Sequence, residues 1–307
     1  MRITTPFLTA ALSAVLACSA IPAFATDVDG PNDCTKNWHD FGDAPECKPA
    51  YPSGIPGKFP TCTFPCTPPG TQEFACPPIS TAPGPTGFVV HDGLPDHYWL
   101  GCYPTPLGPQ GVDSEGDGKM NVGGGGVSAC ASGLLTDCIE PAFAGTMFFD
   151  QDECYADGSD AGITSYITFP LCTPKTVVFN TTNCANQYQV FLNICVDWNA
   201  DGDWNDNFQC PGAGGCAYEW AVKNYPMVIP PGCATLSSPL FLTGPFDNFG
   251  WMRISISDNP APPDYPWNGT VSITAFQNGE TEDYPVDIGH VTPTTGETWG
   301  RLKIRYR

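Results

Sequence analysis

The feature that most constrains this chain is the recurrence of apolar residues at every second position in short segments. The segment YQVFLNICVDW, residues 188–198, predicts a half-buried β-strand because successive side chains of a strand point to opposite faces. Its apolar face consists of Tyr188, Val190, Leu192, Ile194, Val196 and Trp198. The segment WMRISIS, residues 251–257, repeats the pattern and leaves Arg253 on the face opposite Met252 and Ile254.

The same period occurs in TVSITAF (270–276) and EDYPVDI (282–288), whereas apolar residues at helical spacing do not run over any useful length. Turn-forming Gly, Pro, Asn and Asp residues separate these short segments. We therefore predict an all-β fold, an antiparallel β-sandwich of jelly-roll-like form, with long loops rich in Pro, Gly and Cys.

The composition changes along the chain and predicts four regions. Residues 1–25 have a basic start, a short apolar core and a small-residue AFA site, as in a cleavable secretory signal. Residues 26–110 are a Pro/Cys-rich segment that we expect to be loop-heavy and packed on the main domain. We assign residues 111–290 to the β-sandwich and residues 291–307 to a linker and basic tail. The mature protein is then expected to be secreted or at the cell surface, with no transmembrane segment.

Cysteine usage predicts a disulfide-stapled protein. The chain has sixteen Cys, of which Cys18 lies in the predicted signal, and so many thiols in an exported protein indicate disulfides. The remaining fifteen leave one thiol free or bonded to another molecule. Close pairs such as Cys130 with Cys138 and Cys210 with Cys216 are plausible local disulfides. Zinc at Cys62, Cys66 and Cys76 is disfavoured, since no His lies nearby.

The formal net charge of −20 argues against nucleic acid as a partner, because the phosphates would be repelled. The same acidity suits the binding of divalent cations or simple solubility.

The stretch DWNADGDWND, residues 197–206, is the leading candidate site. A D-x-N-x-D-G pattern lets alternate side chains converge on one Ca²⁺ ion, while Gly permits the sharp turn. An EF-hand is excluded, since Phe208 occupies the position of its final Glu and a strand leads into the loop. We expect a Ca²⁺ loop of a β-sandwich, and the alternative is a solvated turn. The predicted ligands are Asp197, Asn199, Asp201, Asp203 and Asp206.

Two further acidic stretches, VDSEGDG and FFDQDE, are candidates for a second metal site, or else surface turns. Their acidic residues are Asp113, Glu115, Asp117, Asp150, Asp152 and Glu153.

No sequence motif of a known catalytic centre is present, and we expect the protein not to be an enzyme. Two alternatives remain open. A carbohydrate-binding module would use surface Trp and Tyr residues, with Trp198, Trp204, Trp220 and Trp267 near turns. The alternative is that these Trp residues belong to the core, as most Trp residues of a sandwich do. A secreted hydrolase would use two carboxylates about 5–10 Å apart. The pair His91 and His97 lies among Asp residues and suits a metal or a general base, or simply a loop.

Several motifs occur together in an order that resembles the GEVED domain of exported and surface proteins of bacteria. They are DFGDAPE (40–46), HYWLG (97–101), VDSEGDG (112–118), DQDE (150–153), VDWNADGDWND (196–206), GWMRISISD (250–258) and NGETEDYPVDI (278–288). The resemblance covers roughly residues 40–288, while the Pro/Cys-rich insertion at 47–90 departs from the family.

This resemblance implies a β-sandwich module of adhesins and large surface proteins without established catalysis. It places the metal-prone loop at Asp197, Asn199, Asp201 and Asp203. The start of the last strand is marked by Glu280, Glu282 and Asp283. Arg253 becomes a candidate ion-pair partner of Glu282 or Asp283, unless it is solvated. We thus expect a secreted structural or adhesive module stabilised by Ca²⁺.

The segment WGRLKIRYR, residues 299–307, is predicted to be a sorting or assembly tail. Four of the twelve basic residues of the chain lie in it and alternate with Leu302, Ile304 and Tyr306. The alternatives are an edge strand and a solvated tail. The residues concerned are Trp299, Arg301, Lys303, Arg305 and Arg307. Expected partners of the protein are a surface polymer, a glycan or another copy of the chain.

Overall fold

A computed structural model describes the central part of the chain. The described residues are 42–102 and 162–289, except for 43, 52, 62–69, 85–86, 92–97, 164, 184–186, 271–275 and 277. Within them, one short helix is present and no helix is long and apolar enough to cross a membrane.

The described residues form fourteen strands and the helix α1 (Tyr265–Asn268). The strands are β1 (Glu46–Pro49), β2 (Pro56–Lys58), β3 (Tyr98–Leu100), β4 (Thr168–Phe169), β5 (Pro174–Lys175), β6 (Val178–Asn183), β7 (Tyr188–Val196), β8 (Asn207–Cys210), β9 (Gly215–Tyr218), β10 (Val222–Ile229), β11 (Gly232–Ser237), β12 (Phe241–Leu242), β13 (Asn248–Ser257) and β14 (Gly279–Ile288).

Two sheets face each other across an apolar core. The larger sheet has the strand order β10-β7-β13-β14-β4, and the smaller has the order β11-β6-β3. All pairings in them are antiparallel except the short one between β14 and β4. The predicted all-β, antiparallel, sandwich-like fold is therefore confirmed.

The front core lies between these two sheets and follows the alternation of the sequence. The apolar face of β7, including Leu192, Ile194 and Val196, packs there with Met252 of β13. Trp198, just beyond β7, is fully buried in the same core, as its place in the alternation predicts.

The back of the larger sheet is also covered, which the half-buried pattern of β7 did not predict. A second, back core contains Cys195 of β7 and Trp251 of β13, with Phe59 and Tyr51 from the Pro-rich segment. We call the described residues of 42–61 and 70–84 the N-terminal cover. Because the cover lies on this face, the prediction that β7 is half-buried is wrong for its last five residues, all of which are buried.

Among the described residues, three disulfides tie the loops to the sheets, namely Cys76–Cys216, Cys102–Cys233 and Cys172–Cys210. The predicted local pair Cys210–Cys216 is wrong. These residues lie on the β8–β9 hairpin, but Cys216 is opposite Gln209 and Cys210 is opposite Gly215. Their side chains therefore point to opposite faces of the hairpin. Cys130 and Cys138 lie outside the described residues.

The remaining thiol predictions have two outcomes in the described part of the chain. Cys195 is a free, buried thiol, which fits an odd number of cysteines. Cys76 is bonded to Cys216 and is therefore not a zinc ligand, while Cys62 and Cys66 lie outside the described residues.

A buried ion pair crosses the centre of the larger sheet. Arg253 of β13 lies directly opposite Asp283 of β14, and its Nε and Nη2 donate to the two carboxylate oxygens at 2.8 and 2.6 Å. Both side chains are almost fully buried. Of the two predicted partners, Arg253 thus selects Asp283. Glu282 points to the other face of β14, where it accepts a hydrogen bond from the Gly162 N–H.

The N-terminal cover is built onto this ion pair. The Nη1 of Arg253 donates to the Pro60 carbonyl at 2.6 Å, and the Ala44 N–H donates to Asp283 Oδ2 at 2.7 Å. Gly42 has φ +145, and a Cβ there would lie 2.5 Å from Arg253 Nη2. Described residues of the motifs DFGDAPE (40–46) and NGETEDYPVDI (278–288) therefore meet at this ion pair.

Replacement of Arg253 by Met should unfold the protein far more readily than a matched surface change. Asp283 would be left as a buried, unpaired carboxylate, so the free energy of unfolding should fall by about 3–5 kcal/mol. Lys175→Met, at a partly exposed site, should cost less than about 0.5 kcal/mol. Urea denaturation measures both, and equal effects of the two changes would contradict a sealed ion pair.

Candidate metal centre

The acidic loop, residues 197–206, joins the end of β7 to the start of β8. The Asp197 N–H still donates to the Trp251 carbonyl at 2.9 Å, so the first residue of the loop is held against β13. Asp197 is fully buried, and Asp203 and Asp206 are buried as well. Asp201 and Asn199 are partly exposed. The loop is therefore an extension of the sheet and not a solvated turn.

Alternate side chains of the loop turn inward and hold its backbone. Asp197 accepts hydrogen bonds from the N–H groups of Asp201 at 3.3 Å and Gly202 at 2.9 Å. Asn199 Oδ1 also accepts from the Asp201 N–H, at 3.2 Å, and Asp201 Oδ1 accepts from Asp203 at 3.3 Å. Ala200 (φ 58) and Gly202 (φ 93) have left-handed backbones that make the turn tight.

Glu219 is a fifth carboxylate of the site and was not among the predicted ligands. It follows β9, is fully buried, and accepts hydrogen bonds from the N–H groups of Trp198 and Asp206, both at 2.9 Å. A signal was present, since Glu219 is the one charged residue between Gln209 and Val222 and is flanked by Tyr218 and Trp220. An isolated acid between large aromatic residues is expected to be buried for a reason.

The five carboxylates form two groups that share Asp201. Oxygens of Asp197, Asp201 and Glu219 lie within 4.8 Å of one another, and so do oxygens of Asp201, Asp203 and Asp206. These groups can hold a metal ion. The position that an EF-hand gives to Glu is occupied by Phe208, whose ring packs 4.8 Å from that of Phe246. The exclusion of an EF-hand thus agrees with the structure.

The N-terminal cover closes the site from the side opposite β7. The Tyr51 hydroxyl donates to Asp197 Oδ2 at 2.7 Å, and the Thr71 N–H donates to Asp203 Oδ2 at 2.6 Å. The Thr71 hydroxyl donates to Asp201 Oδ2 at 2.7 Å, and the Glu73 N–H donates to Asp206. The cover therefore supplies hydrogen-bond donors to four of the five carboxylates.

Mutual repulsion and burial disturb the ionisation of the site. Burial, then the charge of Asp201, raises the pKa of Asp203 to about 7, and burial also raises the pKa of Asp206 to about 7. The pKa of Asp197 and that of Glu219 are raised well above their ordinary values, with burial as the main cause. In the described part of the chain, no Lys or Arg nitrogen lies within 4.0 Å of these carboxylates.

The candidate ligands are of one chemical type. Among the described residues, the side-chain ligand atoms of the two groups are all carboxylate oxygens of Asp and Glu, the type that hard cations prefer. A bound cation would favour the ionised carboxylates and offset their repulsion.

The other predicted sites have mixed outcomes. The second candidate metal group (Asp113, Glu115, Asp117, Asp150, Asp152 and Glu153) and the tail (Trp299, Arg301, Lys303, Arg305 and Arg307) lie outside the described residues. His91 is buried, lies 2.9 Å through Nε2 from Thr281 Oγ1, and has its pKa lowered by burial to about 3. It is a neutral core residue, and His97 lies outside the described residues.

The four Trp residues considered as a sugar-binding surface belong to the core. Trp198, Trp204, Trp220 and Trp267 are each at most 3% exposed. Trp204 stacks near Phe59, with ring centroids 4.4 Å apart, and the Arg253 guanidinium lies 4.8 Å from the Trp204 ring. These four residues therefore do not form a surface platform, in agreement with the alternative that they belong to the core.

Neither a protein-family model, nor a curated protein, nor a solved structure matches this chain.

Substitution of Gly202 by Ala should disrupt the acidic loop. Its φ of +93 disfavours any side chain, and a Cβ would collide with the Pro56 carbonyl oxygen of the cover. We expect the free energy of unfolding to fall by roughly 2–4 kcal/mol, from the left-handed backbone and the overlap together. Gly214→Ala, with φ +67 and open space around the Cβ, should cost only about 1–2 kcal/mol. Urea denaturation tests the difference, and equal losses would contradict the contact with Pro56.

The raised pKa values predict how stability depends on pH when no divalent cation is bound. An unfolded Asp titrates near pH ~4, whereas Asp203 and Asp206 in the folded protein titrate at about 7. Between these values the folded state holds more protons than the unfolded state, so the free energy of unfolding falls as the pH rises. Above the folded pKa of about 7, both carboxyl groups are ionised in the folded and unfolded states, so they cause no further fall in the free energy of unfolding.

In EDTA, Asp203 and Asp206 should therefore lower the melting temperature progressively as the pH rises from about 5 to about 7.5. Asp203→Asn should make the slope less negative, because it removes a group that binds a proton more tightly in the folded state. If the melting temperature of the Asp203→Asn variant falls more steeply with pH than that of the unchanged protein, the predicted direction of the pH dependence is contradicted.

Proposed function

We propose that the protein is a Ca²⁺-stabilised structural module of a secreted or cell-surface protein. The observation that carries this proposal is the set of five carboxylates from the acidic loop and Glu219, four of them buried, with no basic nitrogen of the described residues within 4.0 Å. Such a cluster is costly unless a cation compensates it or protons neutralise it. A divalent ion removes this cost at neutral pH.

Calcium fits the donor set better than its competitors. Zinc prefers Cys and His ligands in closed tetrahedral sites, and the two carboxylate groups contain neither. Magnesium demands a near-ideal octahedron and usually keeps several waters, while Ca²⁺ accepts six to eight oxygens in flexible geometry. Four of the carboxylates come from the acidic loop, and the fifth, Glu219, follows a separate hairpin. Such a dispersed set of ligands suits Ca²⁺, the more tolerant ion.

The ion is proposed to hold structure together. Its ligands would come from the loop after β7 and from Glu219 after β9, and the same carboxylates are hydrogen-bonded to Tyr51 and Thr71 of the cover. Binding would therefore fix the loop, the hairpin and the cover in one arrangement. Asp201, the partly exposed member of both groups, offers the route by which an ion enters.

Other features support a role outside the cytoplasm. The three disulfides are typical of an oxidising compartment, and the predicted signal at residues 1–25 agrees with export. The motif order resembling the GEVED domain favours a non-catalytic surface module that is structural or adhesive. A surface polymer, a glycan or another copy of the chain is the expected partner.

Isothermal titration calorimetry of the EDTA-treated protein with CaCl₂ tests the proposal. We expect a saturable heat, and a rise in melting temperature of roughly 5–10 °C when free Ca²⁺ reaches about 100 times the dissociation constant. Asp201→Asn removes the carboxylate shared by both groups and should weaken binding at least tenfold, as should Glu219→Gln. Asp247→Asn removes the same charge from an exposed site and should bind as the unchanged protein does.

The competing outcomes separate clearly. Absence of both heat and a melting shift in a folded protein would sink the proposal. Equal weakening by Asp247→Asn and Asp201→Asn would mean that only the overall negative charge attracts the ion. Tighter binding of Mg²⁺ or Zn²⁺ than of Ca²⁺ would contradict the assigned metal.

A further inference from the structure

The last described strand delivers the chain to a defined corner of the molecule. β14 ends at Ile288, and the Gly289 N–H donates to the Phe169 carbonyl at 2.8 Å. Gly289 also lies against Asp247, since a Cβ on it would be 2.8 Å from Asp247 Oδ1. Residues 290–307 therefore start from the corner formed by the residues after β4 and the residues before β13.

Two large apolar side chains are exposed at this corner. Leu171 and Phe246 are each 38% exposed. The Cys172 N–H donates to the Gly244 carbonyl at 3.0 Å, which brings the two short segments together. We call Leu171, Phe246 and the exposed acid Asp247 the exit patch.

Two contacts with buried residues of β8 hold the exit patch in shape. Cys172, the neighbour of Leu171, is bonded to Cys210 of β8. The Phe246 ring packs edge-on against the buried ring of Phe208, with the centroids 4.8 Å apart. The patch is therefore a preformed surface, and a ligand need not first order it.

The chemistry of the tail complements this patch. In extended form, residues 299–307 present Leu302, Ile304 and Tyr306 on one face and alternating basic residues on the other. The tail contains Arg301, Lys303, Arg305 and Arg307 but no acid, in a chain whose formal net charge is −20.

The intervening linker permits this contact. Residues 290–298, HVTPTTGET, are mostly small and polar. Nine residues of flexible chain span roughly 17 Å on average, and about 30 Å when fully extended. Because the patch lies at the start of the linker, the effective concentration of the tail at the patch is on the order of millimolar. A second copy of the protein would have to reach that concentration to compete.

We propose that residues 299–307 dock on the exit patch of their own chain, with Leu302 and Ile304 over Leu171 and Phe246. The basic residues, on the other face of the extended tail, are attracted by the overall negative charge of the chain. Docking would cover the exposed apolar pair and keep the tail against the module. This assignment is independent of whether the acidic loop binds Ca²⁺.

Site-specific photo-cross-linking in the full chain tests the proposal. Benzoylphenylalanine replaces Phe246 in one variant and Val228 in the control, and intact mass verifies that residues 299–307 are present. Val228 is 44% exposed but lies on β10, at the opposite edge of the larger sheet from β4. We expect peptides from 299–307 attached to position 246 at a yield at least fivefold above that at position 228.

Equal mixing of unlabelled and ¹⁵N-labelled protein identifies the origin of the tail. Docking within one chain gives cross-links in which both peptides carry the same label. Reversing the charges of Arg301, Lys303, Arg305 and Arg307 to Glu should lower the yield several-fold at low salt. Mixed-label cross-links as the main product would replace this proposal by contact between copies. A yield at position 246 no higher than at position 228 would overturn it.

Discussion

The fold depends on burying a charged side chain in the middle of a sheet. Arg253 lies on β13 with sheet on both sides, and it can lose its water only because Asp283 lies opposite it on β14. The remaining donors of its guanidinium need acceptors, and Pro60 and Thr61 of the N-terminal cover provide them. The ion pair therefore demands the cover, and the cover turns an exposed sheet face into a second core.

The same cover links the ion pair to the acidic loop. Phe59 packs on Trp204, which belongs to the loop, and Trp204 in turn lies beside Arg253. A few residues away, the cover donates hydrogen bonds from Tyr51, Thr71 and Glu73 to the carboxylates. A change in the charge of the acidic loop would therefore alter these hydrogen bonds to the N-terminal cover, although the cover is distant in sequence. This arrangement explains why a bound ion would stabilise more than its own loop.

Sequence patterns correctly predicted the features that depend on residues close together in the chain. The alternation of β7 and β13 placed Leu192, Ile194, Val196 and Met252 in the core, and it set Arg253 on the other face. Phe208 excluded an EF-hand, and in the structure it packs against Phe246. The spacing of Asp197, Asn199, Asp201 and Asp203 produced a loop whose side chains hold its own backbone. Each of these features depends on residues within a few positions of each other.

The sequence by itself determined the strand periods, the turn at Gly202 and the clustering of acid after β7, because strand and turn geometry are decided by neighbouring residues. Only the tertiary structure decided that Glu219 joins that acid and that Arg253 selects Asp283 in preference to Glu282. It also decided that Cys210 bonds to Cys172 and not to Cys216. These outcomes depend on strand register and on which face each side chain occupies. A shift of one residue reverses that face, so pairing between distant segments cannot be predicted from either segment alone.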